Sequence, residues 1–276
     1  MIRRNFLGLA LAGSLIAGAC SYSSSQLANA NDDALKGAIA APTRTPANLA
    51  RDPWRHPYET LAFFNVRASD TVVELWPGGG WYTEIIAPYV LRGGGTYYAA
   101  GMSEGQLAAV QRMRRENPAL YSMVRPAVFP AFSAGDARVP DGSADVVLTF
   151  RNVHNWLMGS RDREPYGEEA FRQIFAMLRP GGILGVVDHR LPESADPARE
   201  RTSGYVKVST VMRLAEAAGF RLAATSDINF NPRDTADWPD GVWTLPPTLR
   251  LGDRDRTRYM AIGESDRMTL RFVKPR

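Results

Sequence analysis

Residues 71–83 read Thr-Val-Val-Glu-Leu-Trp-Pro-Gly-Gly-Gly-Trp-Tyr-Thr, and this stretch decides the fold. A strand-favouring run, residues 71–75, leads into the glycines Gly78, Gly79 and Gly80. A helical pattern from about Tyr82 to Val90 follows. A strand that passes through a glycine-rich turn into a helix is typical of an α/β fold with a parallel sheet. Glycines in such a turn allow a ligand to approach the backbone.

The rest of the chain repeats this alternation of strand and helix. Further strands are predicted at residues 95–100, 127–132, 145–150, 183–187, 220–225 and 269–273, and helices at 58–64, 104–116, 168–178 and 210–218. The third strand is the weakest, because Pro130 interrupts it. The predicted fold class is therefore α/β: a Rossmann-like, seven-stranded, mostly parallel sheet with helices on both faces.

Residues 229–267 do not fit the alternation. They hold Trp238, Trp243 and several prolines, with weak periodicity. Structureless segments of this length are usually functional or disordered, and the tryptophans argue against disorder. Because the segment leaves the sixth strand at its carboxyl end, we expect a C-terminal lid insertion on the ligand side of the sheet.

The first 30 residues have the pattern of an export signal. Arg3 and Arg4 precede an uncharged apolar run, residues 6–19, that is too short to span a bilayer. The string Arg3-Arg4-Asn5-Phe6-Leu7 resembles a twin-arginine signal. We therefore expect a periplasmic location.

Two processing sites remain open. Cys20, the only cysteine, follows a string that resembles a lipoprotein box, so a membrane tether through Cys20 is one possibility. The other is cleavage after Ala30, at the small-x-small string Ala28-Asn29-Ala30. Residues 31–50 are rich in Ala, Pro and Thr and are predicted to form a linker, with one domain from 51 to 276.

Composition and charge exclude several classes of protein. The chain has 276 residues, 45% hydrophobic and 22% charged, which is ordinary for a globular protein. Its formal net charge is +4, and the arginines are interspersed with acids, as in residues 252–258. A nucleic-acid-binding protein usually concentrates its positive charge on one face, so we expect a small-molecule substrate and no nucleic acid.

Other glycine-rich sites fit the turn poorly. No Lys-Ser/Thr follows it, which excludes a phosphate-binding P-loop. Thr83 stands where a dinucleotide fingerprint has its third glycine, and no acid ends the second strand, which disfavours a nicotinamide oxidoreductase.

The order of the later motifs carries a resemblance. Glu74-Leu-Trp-Pro-Gly-Gly-Gly80 is followed by Gly135-Asp136-Ala137, by Val139-Pro-Asp-Gly-Ser-Ala-Asp-Val-Val-Leu148, and by Leu178-Arg-Pro-Gly-Gly-Ile-Leu-Gly185. Over residues 48–275 this order resembles the class I S-adenosylmethionine-dependent methyltransferases. It is most similar to an exported group of predicted methyltransferases that share a Trp-Pro-Gly-Gly-Gly-Trp-Tyr turn.

The resemblance implies S-adenosylmethionine as cofactor and a role for each matching residue. Residues that hold the methionine moiety would be Glu74, Gly78 and Gly80, while Asp136 and Ala137 would meet the adenine. Two residues would face the methyl group and the substrate: Arg151, assigned to cofactor binding, and Asn152, assigned to catalysis. The chain departs from the family at two places: Trp76 replaces the first motif glycine, and residues 98–102 lack the acid that holds the ribose.

His154 is the candidate base, because it lies just beyond the end of the fourth strand, where a base would remove a proton from the acceptor. A structural role in tying the loop to the domain is equally open. His189 is predicted to be structural or to orient the substrate. Nothing in the spacing of His154, Asp188 and His189 requires a metal ion, and none is predicted.

Two functions follow from these patterns. The first is methyl transfer from S-adenosylmethionine to a small-molecule or envelope acceptor. The second is a non-catalytic binding protein on a methyltransferase fold, because the cofactor is made in the cytoplasm whereas the signal predicts export.

Overall fold

The computed structural model describes residues 24–160 and 163–276, with side chains from residue 31 onwards. Its strands are β1 Thr71–Leu75, β2 Thr96–Gly101, β3 Arg125–Val128, β4 Ala144–Phe150, β5 Leu178–Leu191, β6 Val206–Lys207, β7 Arg221–Ser226 and β8 Arg267–Val273. Its helices are α1 Ser24–Ile39, α2 Pro46–Leu49, α3 Asp52–Arg55, α4 Pro57–Phe63, α5 Thr83–Arg92, α6 Ala108–Glu116, α7 Pro118–Tyr121, α8 Val153–Met158, α9 Gly167–Met177, α10 Val208–Ala217 and α11 Arg256–Ile262.

The main sheet has the strand order β3-β2-β1-β4-β5-β8-β7. The first five of these pair in parallel, while β8 lies antiparallel between β5 and β7. The predicted seven-stranded, mostly parallel sheet is confirmed. The two-residue strand β6, which the sequence did not predict, pairs with the end of β5.

Helices cover both faces of the sheet. Val73 of β1 belongs to a buried cluster with Trp156 of α8 and Phe171 of α9, whereas Val72 belongs to a second cluster with Ile85 of α5. Because successive side chains of a strand point to opposite faces, these clusters are the two hydrophobic layers of an α/β sandwich. The continuous apolar runs of β1 and β4 follow from this burial on both sides.

The predicted linker over residues 31–50 is wrong: residues 31–39 belong to α1 and residues 46–49 form α2. Leu35 and Ala38, three residues apart on one face of α1, are buried in the core layer that contains α5. The Oδ1 atom of Asn31 accepts hydrogen bonds from the Ala68 amide (3.1 Å) and the Tyr89 hydroxyl (2.5 Å). The prolines and threonines that indicated a linker lie after α1, at residues 42–46. Cys20 and the two leading arginines lie outside the described residues.

Two strands differ in extent from their predictions. β3 begins at Arg125 and ends at Val128, so Pro130 lies beyond it rather than within it. β5 continues to Leu191, four residues beyond its predicted end, because β8 pairs with it as far as His189, opposite Arg267. The histidine that was expected to follow the strand is therefore part of the sheet.

The segment 229–267 is folded. It contains a 3₁₀ turn at Gly241–Thr244 and the helix α11, and its Trp238, Leu245 and Tyr259 form a third buried cluster. Since β8 runs antiparallel to β5, the segment lies at the carboxyl edge of the parallel strands, the side that was predicted. That it opens as a lid stays a prediction. None of the helices in the described ranges is long and apolar enough to cross a membrane.

Candidate functional site

The glycine turn, residues 76–80, connects β1 to α5 and leaves part of its backbone open. Gly78 has φ +58°, and a Cβ built at Gly78 or Gly79 would meet no atom within 4 Å. Both residues are exposed. At Gly80, by contrast, the Met113 side chain of α6 fills the space. Approach to the backbone is therefore open at Gly78 and Gly79, next to the start of a helix, as a ligand site requires.

Glu74 lies under the turn and is fully buried. Its Oε2 atom accepts hydrogen bonds from the hydroxyls of Thr83 (2.7 Å) and Tyr97. Burial raises the pKa of Glu74 to about 7, although both hydrogen bonds act to lower it. In this structure the carboxylate connects β1, β2 and α5, so its contacts position the turn. Its predicted contact with the cofactor stays a prediction.

Trp76 replaces the first motif glycine without disrupting the strand end. The residue adopts φ +49°, and its amide donates to the Ala100 carbonyl (2.7 Å). The indole Nε1 donates to the Phe129 carbonyl beyond β3 (2.9 Å), and the ring packs edge-on against Trp156. The side chain thus bridges the carboxyl ends of β1 and β3.

Asp136 and Ala137 lie in the loop after β3, at the same sheet edge as the glycine turn. The Asp136 Oδ2 atom accepts hydrogen bonds from the amides of Phe132 (2.8 Å) and Ser133 (2.9 Å). The Ala137 carbonyl accepts from the Val128 amide (2.8 Å). These bonds fix the shape of the loop, which the Trp76 indole joins to the glycine turn through the Phe129 carbonyl. The predicted contact of Asp136 and Ala137 with the adenine stays a prediction.

Asn152 connects the end of β4 to the glycine turn. Its Nδ2 atom donates to the carbonyl of Leu75 (2.9 Å), the residue before Trp76, and to the Thr149 hydroxyl (3.2 Å). Because the side chain is buried and these bonds occupy its amide protons, Asn152 aligns the two strand ends. The sequence placed the residue correctly at this edge, where its contacts position the strand ends, and its predicted catalytic role stays a prediction.

His154, in the first turn of α8, is held by Asp188 of β5. The ring Nδ1 lies 2.8 Å from Asp188 Oδ1, and the His154 amide donates to Asp188 Oδ2 (3.2 Å). Asp188 is fully buried and His154 is 3% exposed. Since the carboxylate accepts, we assign the proton of neutral His154 to Nδ1, which leaves Nε2 as an acceptor. A histidine oriented in this way has the arrangement of a general base.

His189 lies beside this pair, with the ring centroids of the two histidines 5.1 Å apart. Its Nδ1 is 2.5 Å from the Ser265 hydroxyl oxygen, and its amide donates to Asp188 Oδ1 (2.7 Å). Burial, together with the positive charges of Arg151 and Arg267, holds the pKa of His189 well below its usual range. His189 is therefore neutral, and its expected structural or substrate-orienting role stays a prediction.

Ligand atoms of His154, Asp188 and His189 lie within 4.8 Å of one another. Three such groups are the minimum that a protein offers a catalytic metal. However, Asp188 Oδ1 already accepts from the His154 ring and the His189 amide. The absence of a metal stays a prediction.

An arginine cluster at the edge of this region was missed by the sequence analysis. Glu264, one residue before the Ser265 that contacts His189, is within ion-pair distance of Arg51 (2.6 Å), Arg55 (3.2 Å) and Arg267 (3.1 Å). Burial raises the pKa of Glu264, but Arg55 and Arg267 outweigh it and lower the pKa to about 2. No motif signals this cluster, because its members come from three distant segments.

Arg151 belongs to this cluster rather than to the glycine turn. Its amide donates to the Val187 carbonyl (2.7 Å), and its backbone adopts φ +65°. Burial lowers the pKa of Arg151. Among the surrounding charges, that of Glu264 does most to raise it. The charges that act on Arg151 are therefore mainly those of the arginine cluster, and its predicted place on the cofactor side stays a prediction.

Comparisons with known proteins bear on the whole arrangement. Residues 73–186, from β1 through most of β5, match the family model described as a methyltransferase domain. No curated protein sequence matches the chain.

Solved structures share the fold at low identity. A SAM-dependent methyltransferase from Aquifex aeolicus has 13% identity and a TM-score of 0.54, over 92% of this chain and all of that one. The [4+2]-cyclase SpnF has 17% identity and a TM-score of 0.57, over 92% and 96%. Phosphoethanolamine N-methyltransferase 2 from Haemonchus contortus, in complex with S-adenosylmethionine, has 16% identity and a TM-score of 0.51, over 88% and 60%.

Proposed function

We propose that the chain, whose residues 73–186 match a methyltransferase domain, is an S-adenosylmethionine-dependent methyltransferase. Its acceptor would be a small molecule or an envelope component that binds between His154 and the segment 229–267. The observation that carries this proposal is the buried His154–Asp188 pair. It lies at the carboxyl end of β4, where Asn152 hydrogen-bonds to the strand that opens the glycine turn. The proposed cofactor and acceptor regions therefore lie side by side at the carboxyl edge of the sheet.

The open backbone at Gly78 and Gly79 fits the polar end of the cofactor, because ligand atoms approach there without displacing a side chain. When bound, S-adenosylmethionine supplies an activated methyl group on its sulfonium. Gly78 and Gly79 would hold the cofactor, and the loop that Asp136 shapes would border its adenine.

On the acceptor side, His154 Nε2 takes the proton that an acceptor hydroxyl or amine loses as it is methylated. Asp188 keeps the ring in the tautomer that allows this and stabilises the imidazolium that forms. Trp243, whose ring centroid is 6.3 Å from that of His154, helps to keep water from this side.

Calorimetric titration of the full chain, purified as the cell processes it, with S-adenosylmethionine and its demethylated product tests the cofactor site. Gly78→Val places a branched side chain at φ +58° in the open turn and should abolish binding. Gly142→Val is the matched control, since Gly142 also has positive φ (+68°) and open space but precedes β4 at the opposite sheet edge. Equal loss of binding in both variants would mean that general strain, not the turn, is responsible.

A non-catalytic binding protein is the second candidate, and Trp76 favours it. An indole that spans the ends of β1 and β3 narrows the edge where the nucleoside half of the cofactor would lie. A folded chain that binds neither S-adenosylmethionine nor its product would support this alternative over methyl transfer.

The twin-arginine pattern and the two processing sites support export, with the mature chain periplasmic or anchored through Cys20. Replacing Arg3 and Arg4 by lysines should block export through a twin-arginine route. Normal export of that variant would indicate an ordinary secretory signal.

A further inference from the structure

The arginine cluster holds more positive charge than the described acids balance. Arg51, Arg55 and Arg267 share the single carboxylate of Glu264. Asp266, which precedes Arg267 in the sequence, instead accepts two hydrogen bonds from the Arg190 guanidinium (2.8 and 2.9 Å). Within the described ranges, no second carboxylate lies within ion-pair distance of these three arginines. The cluster thus has a net charge of about +2 before Arg151 is counted.

Burial makes this imbalance costly. The side chains of Arg55 and Arg267 are only 3% and 4% exposed. Arg55 Nη2 and Arg267 Nε have no hydrogen-bond partner among the described residues. Burial, followed by the charge of Arg151, pushes the pKa of Arg55 well below its usual range. Because an arginine does not lose its proton in a protein, such a site is stabilised by an added anion.

A cavity of about 340 Å³ borders the cluster. Its lining includes Glu264, Arg267, Trp54, His56 and the exposed Arg233. The His56 Nδ1 atom also has no hydrogen-bond partner in the described part of the chain. The cavity therefore offers space beside the unpartnered donor Nε of Arg267, as a recognition site for an oxyanion requires.

The cavity is next to the proposed catalytic pair. Arg267 faces His189 across the β5–β8 pairing, and Ser265, one residue from Glu264, contacts His189. The cavity residue Arg267 is thus separated from His154 only by His189, whose ring lies beside that of His154.

We propose that the arginine cluster binds an oxyanion group, a carboxylate or a phosphoryl group, of the methyl acceptor. This inference deepens the proposed function and rests on it: the acceptor is an acidic molecule, whose anionic group enters the cavity beside Arg267 and Arg233 while its nucleophile faces His154. Arg55, which pairs with the lining residue Glu264, adds positive charge to the same cluster. Planar guanidinium groups match both oxyanions, and a buried position strengthens the contact.

The test is calorimetric titration of the full chain with inorganic phosphate and, separately, with succinate, at constant ionic strength set by sodium chloride. We expect saturable binding of one of them, about tenfold weaker in Arg55→Gln, a loss of about 1.4 kcal/mol. Arg256→Gln, which removes an exposed charge from α11, should bind like the unaltered chain. The anion that binds more tightly distinguishes a phosphoryl from a carboxylate group.

Two results would overturn the inference: no saturable binding of either anion, or equal binding in all three proteins. If Arg55→Gln does not fold, Arg233→Gln, at an exposed residue of the cavity lining, replaces it, with the same expected direction. Titration of the same samples with S-adenosylmethionine separates the two proposals. Cofactor binding without anion binding rejects only this site, whereas anion binding without cofactor binding rejects the proposed function.

Discussion

The glycine turn and the arginine cluster lie at the same edge of the sheet but are built in opposite ways. The turn offers exposed backbone at Gly78 and Gly79 and comes from one continuous stretch of sequence. The cluster consists of buried charged side chains from the segment before α4, the end of β4 and the start of β8. A cofactor site that relies on backbone is visible as a motif, whereas a site made from distant side chains becomes visible only in the fold.

Removing the acid of the cluster should have the largest effect on stability. Glu264→Gln leaves Arg51, Arg55 and Arg267 without a carboxylate, and we expect a loss of about 3–5 kcal/mol in the free energy of unfolding. Chemical denaturation measures this loss. Glu104→Gln, an exposed acid near the end of β2, is the control and should change little. An unaltered midpoint for Glu264→Gln would mean that the cluster is not a buried charge network.

The free energy of unfolding should depend on pH through Glu74, which lies beneath the glycine turn. Its pKa is about 7 in the folded chain, against the ordinary glutamate value of 4.5, so folding favours the protonated form. Its contribution to stability is complete below pH 4.5 and is lost as pH rises to 7, by about 3 kcal/mol. Denaturation of the unaltered chain and of Glu74→Gln across this range isolates the effect. Parallel pH curves for the two proteins would contradict it.

Asp188 lies at the boundary of the two regions, and Asp188→Asn should slow methyl transfer without weakening cofactor binding. An amide in place of the carboxylate no longer fixes the His154 tautomer, and we expect kcat to fall about a hundredfold, or about 2.7 kcal/mol. The affinity for S-adenosylmethionine, measured by calorimetry, should stay the same. Loss of both together would instead indicate that Asp188 supports the fold of the whole edge.

The smallest effect is expected from a substitution in α1, which packs in the same core layer as α5. Asn31→Ala removes two hydrogen bonds, to the Ala68 amide and the Tyr89 hydroxyl, and should cost about 1–2 kcal/mol in thermal denaturation. Asp33→Asn changes an exposed position on the same helix and serves as its control. Equal melting temperatures would mean that residues 31–50 behave as the linker that their composition suggested.

Most of the fold could be predicted because it is encoded locally. Apolar runs and turn residues defined the seven strands of the main sheet, and only their ends moved, as at β3 and β5. α1 was missed since its buried face consists of few residues, among them Leu35 and Ala38, within a polar composition. The position of β8 between β5 and β7 could not be predicted from local patterns either, because strand pairing depends on the whole sheet.

The site was predictable only in part, for a related reason. His154 and Asn152 follow a clear strand, so their place at the sheet edge could be inferred. Asp188 was considered only as a metal ligand, and its contact with His154 depends on the pairing of β4 with β5. Glu264 and Arg267 lie in and beside a segment without periodicity, and nothing local distinguishes them from the solvated charges of residues 252–258.

The most direct test of the account is transfer of a labelled methyl group from S-adenosylmethionine to fractions of an envelope extract. The account predicts that the unaltered chain labels an acidic acceptor, and that Gly78→Val and Asp188→Asn both lose this labelling although only Gly78→Val loses cofactor binding. Binding of S-adenosylmethionine with no labelling of any fraction, or full labelling by Asp188→Asn, would contradict it.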